Sequence, residues 1–228
     1  MSVRVVTGDV VFARNTVITV GNGQVTIDGG QLADAVQGSG QRQTQVRQLL
    51  SVPSRLEVRS VGHVVIETGD ALVCEVSCDD NLLEHVVTEV EGGCLRIFVQ
   101  GCVRLQSALM VKVVIPPISS LELGGSVQIE YRAVSTPHLE CRVSGSSSAH
   151  LAGQCDEFKL VQSGASEVHA MGLTTRMLDA KVSGAASAWL VSTEAVSIGV
   201  SGSASASISG NPLRRHASCG RAATLNWF

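Results

Sequence analysis

One short phrase recurs six times between residues 124 and 221, and its spacing leaves few folds open. Alternating apolar residues lead into Ser-Gly or a near variant, a small residue follows, and the alternation resumes. The copies are Gly124-Gly125-Ser126, Ser144-Gly145-Ser146, Ser163-Gly164-Ala165, Ser183-Gly184-Ala185, Ser201-Gly202-Ser203 and Cys219-Gly220-Arg221, so the glycines stand 20, 19, 20, 18 and 18 residues apart. A period of this size is too long for a hairpin and too short for a pair of helices. It predicts one turn of a parallel β-solenoid per phrase, with the glycines at sharp corners where a positive φ or close backbone approach excludes a Cβ.

Stacked turns place equivalent residues above one another, about 4.8 Å apart. Aligned on the glycines, the residues four before are Leu121, Cys141, Leu160, Ala180, Ile198 and His216, and those two before are Leu123, Val143, Gln162, Val182, Val200 and Ser218. Four after come Ile129, Ala149, Val168, Ala188, Ala206 and Thr224. Apart from Gln162 and the last turn these are apolar or small, as inward positions of alternating strands must be. The abundance of alanine and serine implies a thin core that holds no ligand, so any recognition belongs to the outside. The last turn, with Arg214, Arg215 and His216 and then Leu225, Trp227 and Phe228, reads as a cap over the terminal edge.

The outward columns carry the polar chemistry. Ser120, Glu140, Lys159, Asp179, Ser197 and Arg215 form one in which charge alternates, and Glu122, Arg142, Val161 and Lys181 form another; such pairs hold register. A third column, five residues after each glycine, holds Glu130, His150, His169, Trp189, Ser207 and Leu225. His169 with Trp189 could form a shelf for a sugar ring. Glu130, His150 and His169 could approach a divalent metal, but side chains on successive strands project side by side whereas zinc requires converging ligands, so no metal is assigned. The candidate binding residues are Glu130, His150, His169 and Trp189.

Other classes find little support. A net charge of −3, a pI near 6.1 and 3% aromatic residues offer neither a basic field nor stacking platforms for nucleic acid. Asp79 with Asp80, and Asp156 with Glu157, read as turn or solvated features rather than as the facing carboxylates of a glycosidase, and no nucleophile elbow, P-loop or dinucleotide fingerprint occurs. No catalytic residue and no cofactor is assigned. No apolar run approaches a membrane span and no charged-then-apolar leader opens the chain. Seven cysteines, an odd number, point to a reducing compartment.

Upstream, residues 1 to 30 alternate around turns at Thr7-Gly8-Asp9 and Gly21-Asn22-Gly23 and read as a β-meander, a possible surface for homo-oligomer formation. Residues 31 to 51, rich in Gln and Gly, read as a linker with some helix near Val46 to Leu50. Less evenly spaced strands follow from Leu56 to Leu123, with turn signals at Asp79-Asp80-Asn81 and Glu91-Gly92-Gly93, and Pro116-Pro117 precedes the regular turns. Residues 52 to 228 are expected to form one solenoid domain. No segment keeps a 3.6-residue period, so almost no helix is expected.

The opening Pro116-Pro-Ile-Ser-Ser-Leu-Glu-Leu-Gly-Gly-Ser and the closing Gly202-Ser-Ala-Ser-Ala-Ser-Ile-Ser-Gly-Asn-Pro, joined by the Ser-Gly phrases, resemble the bacterial auto-transporter adhesins of the head GIN domain family. The resemblance runs from about Leu56 to Trp227, with Gly210-Asn211-Pro212 its most specific point. It implies an all-β, right-handed parallel β-helix, an adhesive role at the cell surface or after export, and no catalytic residues. The resulting expectation is a non-enzymatic module that meets a glycan, a cell-envelope component or a protein through its outer face. A self-assembling structural protein and, behind it, a polysaccharide lyase or hydrolase are the alternatives.

Overall fold

The computed structural model describes residues 35–228 together with the backbone of three short upstream strands, β1 (Val11–Phe12), β2 (Val17–Gly21) and β3 (Gln24–Asp28). Strands β2 and β3 pair antiparallel, Val17 opposite Asp28 and Gly21 opposite Gln24. The rest of the expected meander, including the Thr7-Gly8-Asp9 turn, lies outside the described residues.

Among the described residues, the stretch read as a linker contains two strands, β4 (Val36–Gln37) and β5 (Arg42–Gln48), and no helix. β5 is polar on both faces, so it has no buried side that a hydrophobic pattern could reveal. It is held by its antiparallel ladder to β7 (Val73–Asp79), from Arg42 opposite Asp79 to Gln48 opposite Val73. Between them in sequence lies β6 (Arg55–Thr68). The link from β6 to β7 is too short for a parallel crossover, so the chain reverses. Then come a 3-10 helix at Asp80–His85 and the hairpin of β8 (Val86–Glu91) and β9 (Cys94–Val99), turned on Gly92 and Gly93, both at positive φ. β10 (Val103–Arg104) pairs with β1 and β4, and β11 (Met110–Ile115) lies parallel to β6 but antiparallel to β7. The large sheet is therefore mixed, where uniformly parallel pairing was expected. Reversing connections in the first half account for the antiparallel part.

From β12 (Ser120–Val143) onward the pairing is parallel. β12 lies on β6, and β13 (Ser148–Gln162) and β14 (Glu167–Val182) follow in register, with Leu121 beside Leu56, Cys141 beside Leu160, and Leu160 beside Ala180. Above β14 the ladder divides. β15 (Ser187–Val191), β17 (Ser205–Ser209) and β19 (Thr224–Trp227) continue one branch, while β16 (Ala195–Val200) and β18 (Arg214–Cys219) continue the other. The inward columns through Leu160, Val143 and Val168 are buried as their alternation requires. Each fully buried aliphatic side chain contributes roughly 1.5–3 kcal/mol. Gln162 sits among them, 1% exposed, because its Nε2 donates to the carbonyls of Ser166 and Ser187 at 2.9 and 3.0 Å and so ties one corner to the next rung.

The corners stack as well. Gly125, Gly145, Gly164, Gly184 and Gly202 all have φ between 73° and 93°, and the carbonyl of each of the first four accepts an N–H from the next corner, as in Ala165 to Gly145 at 2.9 Å.

The sixth expected corner, Gly220, is not one of them. Ile198 pairs with Ala217, Val200 with Cys219 and Ala206 with Leu225, one residue later than glycine alignment places them. The period into the last rung is thus 19 rather than 18 residues, and Arg221 occupies the place of Gly202. A one-residue slip exchanges the faces of a strand. His216 and Thr224 accordingly leave the inward columns, and Arg215 leaves the outward one. Arg215 instead stacks its guanidinium over the Trp227 ring at 4.8 Å, and Leu225 and Trp227 rest on the core end. The terminal residues do cover the core, but all six residues of β18 remain exposed. A Gly220→Ala change, whose Cβ meets nothing closer than 3.4 Å, should therefore leave the melting midpoint within about 2 °C of the parent. A larger fall would show that residue 220 is a true corner.

Candidate functional site

Where the parallel register is unbroken, each outward residue is the neighbour of its counterpart, and one column turns that into a ring stack. Glu130 pairs with His150, His150 with His169, His169 with Trp189, and Trp189 with Ser207. The ring centroids of His150 and His169 are 4.6 Å apart at an interplanar angle of 5°, and those of His169 and Trp189 are 4.2 Å apart at 8°. These separations approach the strand spacing itself, so the rings lie flat across the stack axis. The four residues singled out from the sequence are brought together, and only the final member differs, Asn226 standing where Leu225 was expected.

At one end of the column Glu130 accepts hydrogen bonds from Arg132, Nε at 3.1 Å, and lies 3.3 Å from His63 Nε2. The Arg132 hydrogen bond, with the charges of Arg132, His63 and His150, holds the Glu130 carboxyl below the usual glutamate range against the opposing effect of desolvation. Beside the stack Glu167 Oε2 approaches His169 Nε2 at 3.4 Å. At the other end Trp189, half-buried, is paired with Ser207, a side chain too small to cover an indole. A shallow groove of about 330 Å³ runs along the lower part, lined by Glu130, Arg132, His150, His169 and Met171.

Three of these residues were not legible as site members. Met171 projects because β14 carries one extra residue between His169 and Gly172 relative to β13, a bulge that re-aims its side chain and leaves it 53% exposed. Arg132 directly precedes the Ala133 bulge of β12, at φ 57°. His63 belongs to β6, far upstream of the regular phrase. The signal that could have found it is the pairing of Ser60 with Gly125, which sets His63 beside Gln128, two residues before Glu130.

Near-parallel rings send their nitrogens side by side, and among the described residues no group of three or more His, Cys, Asp or Glu is arranged to hold a metal ion. The carboxylate pairs are separately engaged. Asp79 is buried and receives backbone N–H groups from Gly40, Gln106 and Ser107. Asp156 lies 3.6 Å from Arg176, and Glu157 lies 3.5 Å from His138. Cys74, Cys78, Cys141 and Cys155 are buried, and desolvation pushes their thiols up, that of Cys141 to about 12. These are apolar core groups rather than nucleophiles.

A family model described as "Putative auto-transporter adhesin, head GIN domain" matches residues 53–212. Among solved structures, a "putative adhesin" from Bacteroides fragilis superposes with a TM-score of 0.73 at 15% identity, covering 85% of this chain and 100% of that one. A "putative lipid binding protein" from Parabacteroides distasonis gives 0.56 at 18% identity, covering 86% and 100%. A "putative adhesin" from the same organism gives 0.53 at 20% identity, covering 85% and 100%. At these identities the structures establish a shared fold. No curated protein sequence matches the chain significantly.

Proposed function

Because this chain belongs to the auto-transporter adhesin head GIN domain family, we propose that it is a non-enzymatic adhesive module, a right-handed β-helix that binds a glycan on its outer face at the His150, His169 and Trp189 stack. The stack itself carries the reading. An indole stacked on a histidine on one face and neighboured only by a serine on the other suits the C–H face of a pyranose, and such a platform draws on both area and ring electrostatics. The imidazole edges, with Glu167 beside His169 and Glu130 at the far end of the column, line the stack with groups able to bond sugar hydroxyls. The shallow groove beside the stack suits recognition of a polymer laid across a surface. Family membership favours a place at the cell surface; no helix among the described residues is long and apolar enough to cross a membrane.

A glycan array probed with the whole protein tests the proposal. Binding to a restricted set of glycans is expected, weakened at least about tenfold by Trp189→Ala, as for an aromatic anchor at the centre of an interface. Equal binding by the variant, or silence across a broad array, would remove the glycan reading.

A further inference from the structure

The net charge of −3 conceals an uneven distribution. No Asp or Glu occurs from Ala195 to Phe228, while Arg214, Arg215 and Arg221 fall within the last rung. That rung lies beyond the residues the family model matches.

The same rung presents an unpaired edge. Among the described residues β18 pairs only with β16. The Arg214 N–H donates to Glu194 O at 3.1 Å and the Gly220 N–H to Val200 O at 2.8 Å. Backbone groups alternate sides along a strand, so His216 and Ser218 also face β16. The N–H groups of Arg215, Ala217 and Cys219 therefore point away from the sheet, along an exposed six-residue strand. Arg215 is anchored, its Nε donating to Pro212 O at 3.1 Å and its Nη2 to Asn211 Oδ1 at 2.8 Å. Its charge is thereby fixed at the edge. Glu194, the carboxylate that feels the Arg214 charge, is engaged by Arg176 at 2.7 Å.

From the open backbone and the one-signed charge we propose that β18 is a docking edge for an extended, acidic polypeptide segment, which adds as a further strand. Only a polypeptide backbone supplies alternating acceptors and donors at the spacing of the free N–H and C=O groups. Carboxylates at alternate positions of that strand would share the outer side with Arg214, leaving its apolar residues on the inner side. The surface is separate from the ring stack, so loss of either function leaves the other measurable.

The test uses fluorescence anisotropy of a short labelled peptide alternating glutamate and valine, titrated with the whole protein. The expected result is saturable binding that weakens as salt is raised. Lysine–valine and glutamate–proline peptides should bind at least about tenfold more weakly, the first lacking charge complementarity and the second lacking every other backbone donor. Ala217→Pro removes one outward N–H while sparing the ladder to β16, since proline is tolerated on an edge whose N–H faces outward. It should weaken binding by a similar factor, and Trp189→Ala should not change it. If Ala217→Pro does not fold, the pair Arg214→Glu with Arg221→Glu decides the matter by shifting preference toward the lysine–valine peptide. Equal binding of both charge types to the parent, undiminished binding by a folded Ala217→Pro protein, or attachment to anionic phosphatidylglycerol vesicles with no peptide binding would each overturn the proposal.

Discussion

Gly164→Ala is expected to lower the melting midpoint by about 10 °C, equivalent to roughly 3 kcal/mol for a chain of this size. Two costs combine. At φ +82° an alanine is held in the left-handed region, at roughly 1–2 kcal/mol. Its Cβ would also stand 2.5 Å from the Gly145 carbonyl oxygen, which the Ala165 N–H holds at 2.9 Å. Relief would require the corner to lift away from the one below, lengthening that hydrogen bond and disturbing Gly184, which rests on Gly164 in the same way. Thermal unfolding followed by circular dichroism measures the shift, with Gly220→Ala as the matched control. A midpoint within about 2 °C of the parent would mean that the corners are not in contact as described.

Removal of the Asp79 carboxylate should be of comparable size. Its oxygens accept the N–H groups of Gln106 at 2.8 Å, Gly40 at 3.0 Å and Ser107 at 3.1 Å, joining two loops that no strand secures. With Asp79 fully buried, Asp79→Ala leaves those donors without an acceptor and should cost about 3 kcal/mol or more. Desolvation alone would raise the Asp79 pKa, but the backbone donors of Ser107, Gln106 and Gly40 outweigh it and hold the carboxyl below the ordinary aspartate value. The unfolded chain therefore binds the proton more readily than the folded one. The stabilisation is complete above the unfolded value of about 4 and is lost as pH falls through the lower folded value. Denaturant titrations across that acid range should show a steeper loss in the parent than in Asp79→Asn, which has no proton to take up. Parallel pH profiles would refute the assignment.

How far the sequence could be read depended on where each residue finds its partners. In the regular rungs the partner lies one period away, so the stacking of Leu160 on Cys141 and of Trp189 on His169 followed from counting. Counting failed where the chain gains a residue without advertising it. Glycine in Cys219-Gly220-Arg221 imitated a corner, while the added residue near Pro212 and Leu213 shifted the register by one, so that Arg221 stands level with Gly202 and Arg215 turns inward onto Trp227. In the first half, partners are set by chain reversals whose geometry leaves little trace. β5 shows none of the alternation of a half-buried strand, since its ladder to Cys74 and Val76 rather than its side chains secures it. The candidate site was legible in the same measure. Its ring column came from the period, whereas His63 depended on the register of β6 and Met171 on a bulge.

The parallel stack has a dynamic consequence. Each strand above β14 rests on one neighbour below and at most one above, so order can be lost from the end inward without a global transition. β19 and β18 are the first to open, and β17 is all that separates β19 from the strand bearing Trp189. Whatever steadies the terminal rung also lengthens the lifetime of the surface on which the indole is displayed, so two distinct faces of the molecule share one local opening equilibrium.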